Sequence, residues 1–316
     1  MADYLHNHKD FPALLRIVGA ELSIEPGLIE KDYWIMHVLY GLNQLGYQFK
    51  LKGGTSLSKG FGIIHRFSED IDIYIKPPAA MGINENPKNN KERNIEARKK
   101  FYDWLAGNTN MNSITSTERD TEFDELPNYR SGGIRLHYKT YTDPVQGLKD
   151  GILLEAGFDT VTPNSSHNIS SWAYEKAIAS KVDIIDNRAI GILCYNKGYT
   201  FVEKLQTVAK KFRQEQESGV ERPNLLRQYY DIYSLLNDPE VQEFIGTEEY
   251  DTHKKERFPK QDYEIPISEN EAFLISNPEL RARFKERYAA TAKLYYKGQP
   301  DFDQMLGEIG KWVPKL

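Results

Sequence analysis

Residues 70–75 read Asp-Ile-Asp-Ile-Tyr-Ile, a strict polar–apolar alternation whose period of two predicts a β-strand. Side chains two apart on a strand share a face, so Ile71, Ile73 and Ile75 are expected in the core. Asp70 and Asp72 then emerge together on the opposite face. Two carboxylates held side by side repel each other and lose hydration. A divalent cation that prefers oxygen ligands, Mg2+ or Mn2+, would offset both costs. Two such ions about 4 Å apart can clamp the attacking and leaving oxygens of a phosphoryl transfer. Taken alone, Asp-Ile-Asp is more often a pair of solvated acids on a surface strand; what lies upstream decides between the readings.

Upstream runs Leu51-Lys52-Gly53-Gly54-Thr55-Ser56-Leu57-Ser58. Phe49-Lys50-Leu51 reads as a short strand and Ser56 to Phe61 as the start of a short helix. Two glycines between them let the backbone approach a ligand closely, and the helix N-terminus behind favours an anion. Thr55, Ser56 and Ser58 offer hydroxyls. A Gly-Gly-Thr-Ser turn by itself is weak evidence against a plain tight turn. Placed one helix before an Asp-x-Asp strand, it puts a cradle for a nucleoside triphosphate beside a metal site.

The rest of the chain bounds the fold. Its 316 residues suffice for one large domain or two ordinary ones. A hydrophobic content of 40% and a charged content of 28% belong to a soluble globular protein. No apolar run approaches the roughly 18 residues that span a bilayer, the N-terminus is too polar for a signal peptide, and the single Cys194 permits neither an internal disulfide nor a zinc cluster. A cytoplasmic location and no membrane contact are expected. Phe11 to Leu22 and Leu28 to Leu45 carry helical periodicity, with Pro26 opening the second helix and Gly46 closing it. Residues 77–92 read as a loop, Ile95 to Leu105 as a helix, and Gly132 to Tyr141 and Gly151 to Phe158 as strands. Beyond residue 196 the pattern is helical over Phe201–Glu217, Leu225–Leu236 and Leu280–Tyr296, with an irregular connection at 237–270. The expected architecture is α+β, with domains at 1–195 and 196–316.

Gly-Gly-Thr/Ser, a helix, then Asp-x-Asp resembles the signature of the DNA polymerase beta-like nucleotidyltransferases. Arg66-Phe67-Ser68-Glu69-Asp70-Ile71-Asp72 resembles the AbiEii/AbiGii abortive-infection toxin family within it, as do Glu30-Lys31-Asp32-Tyr33-Trp34, Thr200-Phe201-Val202-Glu203-Lys204-Leu205 and Arg227-Gln228-Tyr229-Tyr230-Asp231-Ile232-Tyr233. The resemblance runs patchily from about residue 25 to 240; residues 77–130 and the last seventy lie outside it. It implies a polymerase beta-like core, a small mixed sheet flanked by helices, with a mostly helical C-terminal part.

The resemblance also implies roles. Gly53, Gly54, Thr55 and Ser56 would hold the triphosphate, Arg66 and Ser68 would join the nucleotide site, and Asp70 and Asp72 would ligate metal. Lys204 would contact phosphate or base, Asp231 would complete the site, and a third carboxylate from a neighbouring strand would be Glu155. The residues themselves support Glu155, an acid inside Ile152-Leu153-Leu154-Glu155. They leave Lys204 as a solvated lysine, Arg66 as a partner for Glu69, and Asp231 as a partner for Arg227. A phosphate on Ser68 would compete for the metal; mass spectrometry finding such a phosphate without effect on activity would end that idea. His65 has no metal-ligand spacing and is read as structural.

The implied activity is transfer of nucleotides from NTP to an RNA acceptor, tRNA foremost, with loss of translation and a cognate antitoxin that need not touch the toxin. The net charge of −5 argues weakly against coating of nucleic acid by bulk charge and leaves room for a local basic face. Candidate clusters are Lys88, Lys91, Arg93, Arg98, Lys99 and Lys100; Lys210, Lys211 and Arg213; and Arg281, Arg283, Lys285 and Arg287, each also readable as a solvated helix face. The alternatives are transfer to a small molecule or a protein side chain, and a non-catalytic nucleotide-binding relative.

Overall fold

Pro26 occupies the first turn of a helix whose exit is Gly46, at φ +75°, a left-handed backbone that glycine adopts without steric cost. That helix, α2 (Pro26–Gln44), is buried on nearly every side, Glu30, Lys31 and Asp32 included. The computed structural model describes residues 2–316 apart from 146, 160 and 223. It divides into two compact units, Met1–Phe61 with Phe67–Tyr195, and Gly62–Arg66 with Asn196–Leu316.

The first unit contains α1 (Phe11–Leu22), α2, β1 (Phe49–Lys52), a three-residue turn α3 (Gly53–Thr55) running into a wider π turn (Ser56–Gly60), and β2 (Asp70–Ile75). It continues with α4 (Glu92–Asn108), β3 (Ile114–Asp120), β4 (Ser131–Tyr138), β5 (Ile152–Gly157), β6 (Asn164–Ile169), α5 (Trp172–Ala179) and β7 (Ala189–Tyr195). The seven strands form one mixed sheet in the order β3-β4-β5-β2-β1-β7-β6. β2 therefore sits at the centre, antiparallel to β1 and parallel to β5. α2 packs on β5 and β7, and α4 on β3 and β4.

The second unit is helical: α6 (Lys197–Ser218), α7 (Leu225–Leu236), α8 (Pro239–Phe244), α9 (Glu248–Arg257), α10 (Lys260–Tyr263), α11 (Glu271–Leu274), α12 (Pro278–Ala289) and α13 (Phe302–Trp312). Asn196 caps α6, its side chain accepting from the Gly198 and Tyr199 N–H groups. α7 lays Tyr229, Tyr230, Ile232, Leu235 and Leu236 into the unit's core.

Three expectations are corrected. Residues 237–270 carry three short helices, α8 to α10, each started at a proline or a capping Asp238 or Thr247 rather than left irregular. The single helix expected over 280–296 ends at Ala289. The strands β3 and β6, absent from the sequence reading, are the two edges of the sheet. Their sequences, Ile-Thr-Ser-Thr-Glu-Arg-Asp and Asn-Ser-Ser-His-Asn-Ile, are polar because edges face water and are kept from pairing with other chains. Among the described residues no helix is long and apolar enough to cross a membrane.

Candidate active site

The alternation in β2 resolves as expected: Ile71, Ile73 and Ile75 are at most 1% exposed, while Asp70, Asp72 and Tyr74 are partly open on the other face. Strand register then sets their neighbours. Lys52 of β1 stands beside Asp72 on one side, Glu155 of β5 on the other, and Gly133 of β4 beyond that. Glu155 and Asp72 are thus cross-strand partners, the arrangement in which like charges repel most directly. Burial, followed by the charges of Asp72 and Asp70, pushes the Glu155 carboxyl up to about 7 against the pull of Lys52 and Lys149. Asp70 is also raised, by burial and then by Glu69 and Asp72.

The glycine turn meets this row directly. Gly53 has φ +72°, and a Cβ built there would lie 2.0 Å from Asp72 Oδ2, so the turn can approach the acid only because the residue is glycine. Thr55 and Ser56, expected as phosphate donors, are fully buried. The Thr55 hydroxyl donates to the Asp70 carbonyl at 2.5 Å and that of Ser56 to the Gly53 carbonyl at 2.9 Å. As folded, the Thr55 hydroxyl fastens the turn to the acidic strand and the Ser56 hydroxyl closes the turn on itself. Gly54 is buried behind it, and Ser68 lies half-buried in the approach to β2.

Cations ring the acids. Lys149 Nζ stands 4.0 Å from Asp70 Oδ2, and Lys52 Nζ pairs with Asp159 at 3.1 Å. Behind them, three consecutive charged residues of α2 act as struts that sequence reasoning did not assign. Glu30 accepts from the Tyr141 and Thr142 N–H groups and the Thr142 hydroxyl. Lys31 pairs with Glu69 at 3.3 Å and donates to the Lys149 carbonyl, while the Lys149 N–H donates to Glu69. Asp32 takes Lys59 at 2.5 Å and the Trp172 N–H at 2.9 Å. Burial holds Lys31 below the usual lysine range and both acids above theirs. The available signal was three charges in a row inside an otherwise apolar helix, costly to bury unless each has a partner.

The other sequence candidates belong to the second unit. Arg66 forms two 2.7 Å bonds to Asp231, through Nε and Nη2, and Lys204 Nζ approaches the same carboxylate at 2.8 Å. Lys204 also donates to the Gln228 side chain at 2.9 Å. Asp231 is wholly buried; burial would raise its pKa, and Arg66 and Lys204 together hold it below the usual carboxylate range. Arg66 therefore pairs with Asp231, and Asp231 takes both Arg66 and Lys204. Lys204 is no solvated lysine. His65 donates its backbone N–H to the Tyr230 hydroxyl.

Of the basic clusters, Arg98 is buried and donates to the Asn89 and Asn128 carbonyls, so it leaves the surface set. Arg213 pairs with Asp262 and Glu217, Arg281 and Lys285 with Asp303, and Arg287 with Glu215. Those charges are largely neutralised at home.

A divalent ion fits the acidic row in donor chemistry: hard carboxylate oxygens, crowded by their own repulsion. Among the described residues, no group of three or more His, Cys, Asp or Glu is arranged to hold a metal as it stands.

A tight glycine turn against a central acidic row, on a mixed sheet flanked by helices and followed by a helical unit, is the construction of a nucleotidyltransferase. The family model described as nucleotidyl transferase AbiEii toxin, Type IV TA system, matches residues 37–308, and the chain belongs to that family. The match takes in most of the last seventy residues, where the sequence alone offered no resemblance. Among solved structures, a crystal structure of an antigenic nucleotidyltransferase-like protein from Paracoccidioides brasiliensis aligns at 14% identity. The alignment covers 81% of this chain and 93% of that one, with a TM-score of 0.38, a likeness too loose to bear on the chemistry. No curated protein matches the chain.

Proposed function

We propose that this nucleotidyltransferase toxin moves a nucleotide from NTP to the hydroxyl of an RNA acceptor, tRNA foremost, with arrest of translation as the outcome. The observation that carries the reading is the cross-strand row of Asp72 and Glu155 with Gly53 pressed onto Asp72. Asp70 and Asp72 would hold Mg2+ or Mn2+, which supplies positive charge to the phosphates and the leaving oxygen. Gly53 and Gly54 let the triphosphate come close, and Lys52 and Lys149 add fixed positive charge at the rim of the acids. The acceptor oxygen bonds to the α-phosphorus as the bond to the β-phosphate oxygen breaks; pyrophosphate leaves, and Glu155 is placed to take the acceptor's proton. Arg66, Lys204 and Asp231 act as one buried ion-paired unit that fixes the 62–66 segment, one residue short of Phe67-Ser68-Glu69-Asp70. A Type IV toxin–antitoxin family implies a cognate antitoxin; the proposed partner opposes the toxin without needing to bind it. The proposed setting is the cytoplasm during abortive infection, as antiviral defence.

Labelled nucleoside triphosphates, magnesium and total RNA test this. Label in tRNA that disappears with a chelator and with Asp70→Ala is the expected result. Label in protein or in small molecules overturns the acceptor, and no label from any of these overturns the enzymatic reading.

A further inference from the structure

The acidic row occupies only part of its sheet face. One step along the strands, on the same face, Tyr74 of β2 pairs in register with Lys50 of β1, and Lys50 with Leu193 of β7. One step further the Lys76 N–H donates to the carbonyl of Gln48, the residue just before β1. β1 runs toward the glycine turn, so Lys50 and Gln48 lie on its side away from the triphosphate cradle. Here the surface sinks into a cavity of about 490 Å3 lined by Asn43, Tyr47, Gln48, Lys50, Tyr74 and Lys76, with Leu193 at its edge. A second cavity of about 400 Å3 shares Lys50 and Tyr74 and is lined also by Asn86 and Pro87 and by two acids, Glu85 and Asp159, which set it apart from the first.

Three features of the larger cavity point to one ligand class. Its charged lining residues are two lysines and no acid, in a chain whose acids outnumber its bases 46 to 41. Its two tyrosines are held in place: Tyr47 donates its hydroxyl to the Asn108 carbonyl at 3.1 Å and packs against Trp104, and Tyr74 donates to Glu85 with Lys50 Nζ over its ring, 5.9 Å from the centroid, so fixed rings and a cation stand together. Its position is set by strand geometry: Tyr74 lies about 7 Å along β2 from Asp72, the reach of one extended nucleotide. Paired lysines beside tethered aromatic rings are the elements that hold single-stranded nucleic acid, phosphates on the cations and bases on the rings.

We propose that this Lys50–Tyr74–Lys76 cavity, with Tyr47, binds the single-stranded 3′ end of the RNA acceptor and leads its terminal hydroxyl to the acidic row. The inference rests on RNA being the acceptor, as proposed above, and adds where on this chain it lies.

The test measures binding of a short, fluorescently labelled single-stranded RNA across a salt series, together with KM for RNA and for NTP in the transfer assay. Lys50→Ala/Lys76→Ala is expected to raise KM for RNA and to flatten the slope of log affinity against log salt by about 1.4, two phosphates' worth on a single strand, with KM for NTP unchanged. Lys50→Arg/Lys76→Arg should restore the slope. Tyr74→Leu should weaken binding by about 5- to 150-fold, the loss of one stacked base; should that variant not fold, the lysine pair decides. If the wild-type chain labels RNA and the double alanine variant keeps its RNA KM and salt slope, the site is wrong while the acceptor stands. If the wild-type chain labels only protein or a small molecule, both the site and the RNA reading fall.

Discussion

At Gly53 two requirements coincide, a left-handed backbone and a carboxylate oxygen where a side chain would begin. Gly53→Ala should leave the circular dichroism spectrum unchanged and lower nucleotide transfer by at least about 10²-fold, because the turn must back away from Asp72 and reacting groups tolerate little displacement. Asp72→Asn separates shape from charge. It keeps the shape of the side chain and removes its charge, so transfer should fall by about 10²- to 10³-fold with the circular dichroism spectrum unchanged. The aspartate pair was legible because a period of two leaves little freedom in where its side chains go. The engagement of Thr55 and Ser56 was not, since their partners are backbone carbonyls that only the fold brings within reach.

Strand β2 and helix α2 stand where the sequence placed them, each marked by strong periodicity and punctuated ends. The edges β3 and β6 were hidden because a solvated edge has no apolar stripe to show. The ion-paired set of Arg66, Lys204 and Asp231 was hidden for another reason: its members come from a connecting segment and two helices far apart in sequence, and the local alternatives, Glu69 and Arg227, were nearer along the chain. That set makes a stability prediction. Asp231→Ala leaves two buried cations facing each other and should cost about 3–5 kcal/mol in urea unfolding. Replacing all three with apolar residues of similar volume should cost far less, as expected when the penalty comes from the stranded charges.

Two buried histidines contribute stability that mild acid removes. His6 bonds Tyr33 and Ser113, and His37 bonds Asn187 and the Asn112 carbonyl, in one buried network. Burial, and then the charge of His37, lowers His6 to about 3, and burial lowers His37 as well. Between the ordinary histidine value near 6.5 and about 3, the unfolded chain binds protons that the folded chain does not, so stability rises with pH across that window and is lost as pH falls. Glu155, raised to about 7, contributes with the opposite sign over the same range, so the test is a difference: from pH 7 to pH 5 the urea midpoint of His6→Gln should fall less, or rise more, than that of wild type. A final consequence follows from residues 62–66, which lie in sequence between the glycine turn and the acidic strand yet are packed with the second unit. On the ribosome, both halves of the chemical signature emerge early, while the carboxylate that receives Arg66 is made more than a hundred and fifty residues later. Until then the linker between the halves lacks the partners that Tyr230, Asp231 and Tyr296 bring, so a polypeptide ended between Glu155 and Asp231 carries the acidic row and still lacks that anchor of the segment leading to it.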